Sequence, residues 1–419
     1  MRFLVFLAAF LLLAATAVPI QAQETTGEEG TEPGQAEMEE TEDETEKARM
    51  EIYGFVQADT GYDFGQNNPD WFDTVRPTQL PSYENEYGAD GNTYFSVRQT
   101  RFGVKGYVPT SYGEMMTIFE WELFGVGADA GQTTLRLRHA YGELGQFGAG
   151  QYWSPFMDID VFPNSLEYWG PSGMAFFRNV QVRWMPIRGD TRLTIALERP
   201  GASGDAGHYD DFIEEAGVQG HFRYPDLSGE FRHGGQWGYV EIAGILRRIE
   251  WVDAGTTEFD LAGGTTAWGF NLSTNIKLGP NGNTLKGSFL YGKGIENYMN
   301  DASVDIGFEP SGNPNRPLEG EALPVLGIVA AYDIYWNDRW TSSAAYSLID
   351  IENTSGMLDS AFRRGQYALG NLQFHPTDKM MCGAEFQFGQ RKNFLDDWTY
   401  NDYRIQFSFR YNYSFWLGG

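Results

Sequence analysis

One cysteine, Cys382, stands among 419 residues, so no disulfide is available within the chain and the residue reads as a small apolar strand position. The five histidines, His139, His208, His221, His233 and His375, show no metal-binding spacing with a nearby cysteine or carboxylate. Neither a GxSxG elbow nor a phosphate-cradling glycine loop occurs, and nothing in the sequence pairs Ser154 with a base. These gaps predict that the protein is not an enzyme and holds no metal or cofactor. Cationic excess is missing too. The formal net charge is -27, which excludes nucleic acid as a partner because a phosphate backbone needs a basic face. Past residue 18 no segment is uniformly apolar over the ~20 residues that a helix needs to cross a bilayer.

What the chain does contain is organised in three parts. Arg2, the apolar run Phe3 to Val18, and the small-residue sites ending at Ala17 and Ala22 read as a secretory signal peptide over residues 1–22. Residues 23–49 carry eleven carboxylates against Lys47 and Arg49 without apolar periodicity. Such a segment buries too little surface to fold and reads as a disordered acidic tail. From residue 50 onward the pattern alternates every second residue: Ile52, Gly54, Val56, Ala58, Thr60 and Tyr62 on one face, Gln57 and Asp59 on the other. The composition, with 51 glycines and 16% aromatics, suits many short strands and turns.

Alternation alone fits a soluble sandwich or a membrane barrel. The connections separate them, because short turns near residues 109–113, 145–146, 186–190, 233–236, 279–283, 337–339 and 375–379 interleave with long Asp/Asn/Gly-rich links. Outer-membrane barrels have short periplasmic turns and longer external loops. The reading is therefore an all-β fold over residues 50–419, a transmembrane antiparallel β-barrel of about 16 strands, wide enough for an aqueous channel. Outward candidates such as Phe119, Trp121, Ile242, Trp268, Phe270, Phe407 and Phe409 face outer-membrane lipid, and Glu120, Glu122, Glu241, Asn271, Ser273, Arg404, Gln406 and Arg410 face the lumen. The expected place is the outer membrane of a Gram-negative cell.

Residues 154–177 break the pattern. They carry Phe156, Met157, Ile159, Val161 and Phe162, which are unwelcome on an external loop, and are stiffened by Pro155, Pro163 and Pro171. This segment is expected to fold into the lumen as a constriction loop, the alternative being an external or subunit-contact loop. Alternation puts Arg101 and Lys105 on one polar face, Arg136 and Arg138 on the next opposite Leu135, Leu137 and Tyr141, and Arg183 on a third. With Arg178 they form a basic ladder, and Glu120, Glu122, Asp158 and Asp160 are expected to face it. Opposed charges orient dipolar solutes, and arginine's planar fork suits carboxylates. The alternative is that Arg101, Arg136 and Arg138 merely satisfy Glu120 and Glu122. His139 reads as structural on the Leu137 and Tyr141 face, and Arg98, sharing a face with Phe102 and Val104, as a rim or subunit-interface residue.

The motifs SVRQTRFGVKG (96–106), RLRHAYGELG (136–145), GQYWSPFMD (150–158), WGPSGMAFFRNVQVRW (169–184) and WGYVEIAGILRRI (237–249) together resemble the DcaP-like family of outer-membrane porins. The resemblance is strongest over residues 50–250. It implies a sixteen-stranded homotrimer that passes small hydrophilic solutes, often anions such as dicarboxylates. The helical N-terminal extension of some members is not carried over, because the acidic tail lacks heptads. The chain ends Phe415-Trp416-Leu417-Gly418-Gly419, so Phe415 or Trp416 would stand for the usual terminal aromatic. Two other functions compete with an anion-preferring porin: a general, weakly cation-preferring porin, and a closed structural or adhesion barrel binding a partner through loops such as 292–323.

Overall fold

The computed structural model describes residues 47–255 and 258–418, so the signal peptide and nearly all of the acidic tail lie outside the described residues. Sixteen strands close a barrel among the described residues: β1 (Arg49–Asp63), β2 (Arg101–Thr110), β3 (Gly113–Phe124), β4 (Thr133–Leu144), β5 (Phe147–Trp153), β6 (Arg178–Ile187), β7 (Arg192–Glu198), β8 (Asp226–Gly235), β9 (Gly238–Asp253), β10 (Gly263–Leu278), β11 (Asn283–Lys293), β12 (Pro324–Asn337), β13 (Trp340–Ile351), β14 (Phe362–Thr377), β15 (Met380–Asn393) and β16 (Thr399–Gly418). Neighbours pair antiparallel throughout. The barrel closes where β1 meets β16, from Arg49 opposite Gly418 to Asp63 opposite Arg404. Seven short turns share one end with both strand termini, and the long connections share the other, as the spacing of turn residues predicts.

Outward residues are large and apolar. Phe119, Ile242, Leu246, Trp268, Phe407 and Phe409 are exposed on the barrel wall while Gln57, Asp59, Glu120, Glu122, Glu241, Asn271, Gln387, Arg404 and Gln406 are buried inside. That is the reverse of a soluble core and suits a lipid surround.

The interior, however, is not polar all round. Ala243 and Ile245 of β9, Leu290 of β11, Val325 of β12, Ile349 and Ile351 of β13 and Phe362 of β14 form one buried cluster with Phe156, Met157 and Ala175 of the inward loop. Three long connections enter the barrel rather than the one expected. Residues 64–100 place Val75, fully buried, against Ala331, Ala345, Tyr367 and Leu369. Residues 294–323, within the 292–323 link expected as an external loop, contribute Ile295, Tyr298, Met299 and Leu323 to the larger cluster, and between Met299 and Leu323 they form a hairpin, Ile306–Asn313 with Arg316–Ala322. Strands that must pack against loops on one side and lipid on the other are apolar on both faces. The β9–β14 side of the lumen thus carries a large apolar cluster alongside polar groups such as Glu241, Asn271 and Asp333, and the β2–β6 wall carries the arginine cluster.

Two local departures from simple alternation follow from strand irregularities. A bulge in β4 sets Glu120 opposite His139 and Trp121 opposite Leu137, skipping Arg138. Beyond an extra residue the faces exchange. Arg138, His139 and Tyr141 are therefore all buried while Leu137 stays exposed, correcting the expectation that His139 and Tyr141 share the face of Leu137. Likewise, a short strand Asn92–Ser96 pairs with the upper part of β1 and β2 pairs with its lower part. Arg98 lies in the break between them. It is fully buried, bonded to Asp73 at 2.5 Å and to the carbonyls of Gln132 and Gly125, not at a rim or subunit interface.

Candidate functional site

The loop 154–177 leaves and rejoins the wall at one point, where Ser154 N–H donates to Phe177 O at 3.0 Å, and crosses the lumen between. Its seats on the far wall are polar. Asn164 N–H donates to Asp333 (3.1 Å), and Leu166 and Glu167 N–H donate to Glu385 (2.8 and 3.1 Å). On its return it touches backbone directly: a Cβ on Gly173 would lie 2.0 Å from Leu348 O, so only glycine fits there. Glu167 itself accepts from Val75 N–H (3.1 Å) and the Tyr367 hydroxyl (3.2 Å), which ties two inward loops together. Burial, with the Glu385 carboxylate beside it, pushes the Glu167 carboxyl up to about 7.

The near wall gathers six of the ten charged residues singled out in the sequence. Register sets Arg101 of β2 opposite Glu122 of β3, and Glu122 opposite Arg136 of β4. The β4 bulge turns Arg138 inward, where Nε meets Glu120 at 2.6 Å and Nη1 meets Glu122 at 2.7 Å. Arg101 lies 3.8 Å from Glu120 and 3.4 Å from Glu122, and Arg136 and Arg178 reach Glu122 at 3.6 and 3.8 Å. Tyr53 donates to Glu120 (2.8 Å) and Tyr168, from the loop, donates to Glu122. Trp153 lies under Arg138 and Arg178, at 5.4 and 5.2 Å. Four guanidiniums thus share two carboxylates. Nε of Arg101, Nη1 of Arg136 and Nη1 of Arg178 are buried without a hydrogen-bond partner. Buried donors are nearly always satisfied, so these three arginine nitrogens are exceptions beside a surplus of positive charge.

The other four residues lie elsewhere. Arg183 bonds Gln181 at 3.1 Å and stacks on Tyr141 and Tyr152, and Lys105 pairs with Glu51 at 3.4 Å. Asp158 and Asp160 do not face the ladder. Both bind Arg232 of β8 at 2.6 Å, whose Nε also meets Glu241 at 2.6 Å. Tyr239 and Ser273 donate to Asp158 at 2.7 and 2.6 Å. The expectation that Glu120 and Glu122 oppose the arginines is corrected as well, since adjacent-strand register puts them among the arginines. Arg232 was missed, although Ser228, Glu230 and Arg232 alternate with Leu227, Gly229 and Phe231 and so declare a lumen face.

Above the near wall lies a cavity of about 440 Å³ lined by Arg136, Arg178, Tyr168, Trp169, Phe176, Phe177 and Glu296, among others. Its size and aromatic lining are those of a small-molecule site.

Comparison with known proteins agrees with this architecture. A family model described as DcaP outer membrane protein matches residues 29–413. The outer membrane channel DcaP of Acinetobacter baumannii is similar at a TM-score of 0.69 and 20% identity, over 88% of this chain and 98% of that one. An anion-selective porin from Comamonas acidovorans is similar at 0.56 and 11% (88% and 100% covered), and the trimer form of OmpT from Vibrio cholerae at 0.53 and 13% (88% and 100% covered). No protein with a curated description matches the sequence.

Proposed function

Since the chain belongs to the DcaP outer membrane protein family and is an outer-membrane porin channel, we propose that it selects small anions, dicarboxylates among them, at the wall formed by Arg101, Arg136, Arg138 and Arg178. The supporting observation is the arginine surplus around Glu122, with three donor nitrogens unmet. A carboxylate passing the loop exchanges part of its hydration for those donors, and arginine offers them in bidentate geometry. Lys105 and Arg183 extend the positive path, while Asp158 and Asp160 hold the loop that narrows it. Assembly as a homotrimer is part of the proposal and is tested by the mass of the detergent-solubilised protein.

A weakly cation-preferring porin is the competing function, favoured by the carboxylate excess around Arg232 and the net charge of -27. Reversal potentials across planar bilayers in a salt gradient decide between them. An anion-preferring potential that moves toward cations in R136Q/R178Q supports the proposal. A cation-preferring potential in the unaltered protein rejects it, and a barrel with no conductance rejects both in favour of a structural role.

A further inference from the structure

The cavity beside the arginine wall also holds a buried carboxyl group with no hydrogen-bonded partner. Glu296, in the short turn Glu296–Tyr298 of the third inward loop, lines the same space as Arg136 and Arg178 and is 2% exposed, yet neither carboxylate oxygen receives a hydrogen bond. An unpaired buried carboxylate is costly unless something cationic comes to it. The backbone holds the two loop segments together: Ala175 pairs with Met299, and Phe176 N–H donates to Tyr298 O at 2.9 Å. Arg178 has Glu122 as its ion-pair partner, 3.8 Å away, and its Nη1 stays unbonded. The cavity's remaining cation, Arg76, is already neutralised by Asp301 at 2.8 Å and sandwiched between Trp71 and Trp169. What is left open is the guanidinium edges of Arg136 and Arg178, one carboxyl group, and the rings of Phe176 and Phe177.

We propose that this cavity is a subsite for zwitterions, specifically free α-amino acids with an apolar or aromatic side chain. The α-carboxylate meets Arg136 and Arg178, the ammonium meets Glu296, and the side chain lies against the phenylalanines. The assignment rests on the anion reading of the arginine wall but adds to it a requirement for the ammonium, so the two fail separately.

The test is blockade of single-channel current by L-phenylalanine, 3-phenylpropionate and phenethylamine, which present both charges, the anion only and the cation only. In the unaltered protein phenylalanine is expected to act at about tenfold lower concentration than either analogue. E296Q should remove that advantage and leave blockade by 3-phenylpropionate intact, whereas R136Q/R178Q should weaken both. If phenylalanine is no better than 3-phenylpropionate in the unaltered channel, the zwitterion subsite is wrong and the anion wall stands. If E296Q folds and leaves the phenylalanine preference unchanged, Glu296 is a structural carboxyl and the assignment is likewise overturned. If no compound carrying a carboxylate acts through Arg136 and Arg178, the anion reading falls with it.

Discussion

Arg138 of β4 and Arg232 of β8 stand four strands apart on the barrel wall with nearly the same first contacts. Each meets carboxylates at 2.6–2.7 Å, and each lies over an aromatic ring, Trp153 or Tyr239. What surrounds them differs. Arg138 stands among Arg101, Arg136 and Arg178, and the unmet atoms there are donors. Arg232 stands among Asp158, Asp160, Glu241 and, through Arg192, Glu230, and the unmet atoms there are one acceptor, Glu241 Oε1, and one donor, Arg192 Nε. Of the first set Arg136 and Arg178 line the cavity of about 440 Å³, whereas the second set clasps a loop and borders a separate space of about 570 Å³. Ion pairing by itself therefore does not tell structure from selection. The balance of guanidiniums against carboxylates, and whether a loop carboxylate is included in the pair, does.

The largest effect expected from breaking this comparison is at the clamp. R232A leaves Asp158 buried without its cation and Glu241 with Arg192 alone, a change that costs about 3–5 kcal/mol when one partner of a buried pair is removed. The loop's leading half should detach from β8–β10, raising single-channel conductance severalfold and lowering the thermal midpoint of the barrel. The double variant R232A/D158N removes one orphaned charge and should recover part of the midpoint. Unchanged conductance in a folded R232A barrel would show that the loop does not need the clamp.

At the arginine wall the effect is on selectivity instead. R136Q/R178Q removes two of four guanidiniums and spares both hydrogen bonds of Arg138, so the fold should hold while the anion-to-cation permeability ratio falls about tenfold. The complementary change on the acidic side, E230Q, should raise that ratio by about twofold, since Glu230 is partly neutralised by Arg192. A shift of equal size from the two variants would mean that the field is set by overall charge and not by the unmet donors.

The barrel and its strand count were legible because period-two alternation and the short-turn rhythm are local signals repeated along the chain. So was the inward loop, because Phe156, Met157 and Val161 are too apolar for an external one. The arginine wall was legible in composition but not in partnering. Arg138 and His139 turn the same way only because of a bulge, which depends on the register of β3 against β4 and leaves no mark in either strand alone. The destination of Asp158 was hidden for a different reason: a loop residue's partner is fixed by where the loop crosses, and Arg232 lies 74 residues further along. The apolar interior of β9–β14 escaped notice because alternation distinguishes two faces only when one is polar.

The smallest expected effect concerns the loop's far seat, where neither arginine takes part. Glu167 is buried on the loop with Glu385 of β15 and Tyr367 of β14 against it, and its carboxyl is pushed up to about 7 from an ordinary value of 4.5. The seated loop therefore binds a proton more readily than the released one. Its seat is tightest in acid and loosens as pH rises from about 4.5 through 7, because the seated state must then hold an unfavourable charge. Since the clamp at Arg232 and the Glu385 bonds to backbone N–H persist, the consequence is limited to the loop's tip. Open-channel current noise should grow by about twofold between pH 5 and pH 8. E167Q keeps an acceptor for Val75 and Gly170 but cannot titrate, so its noise should be flat and resemble the acid state. Noise that still rises with pH in E167Q would locate the titration elsewhere. It would also leave the two arginine-centred regions, rather than this carboxyl, as the determinants of how firmly the loop is held.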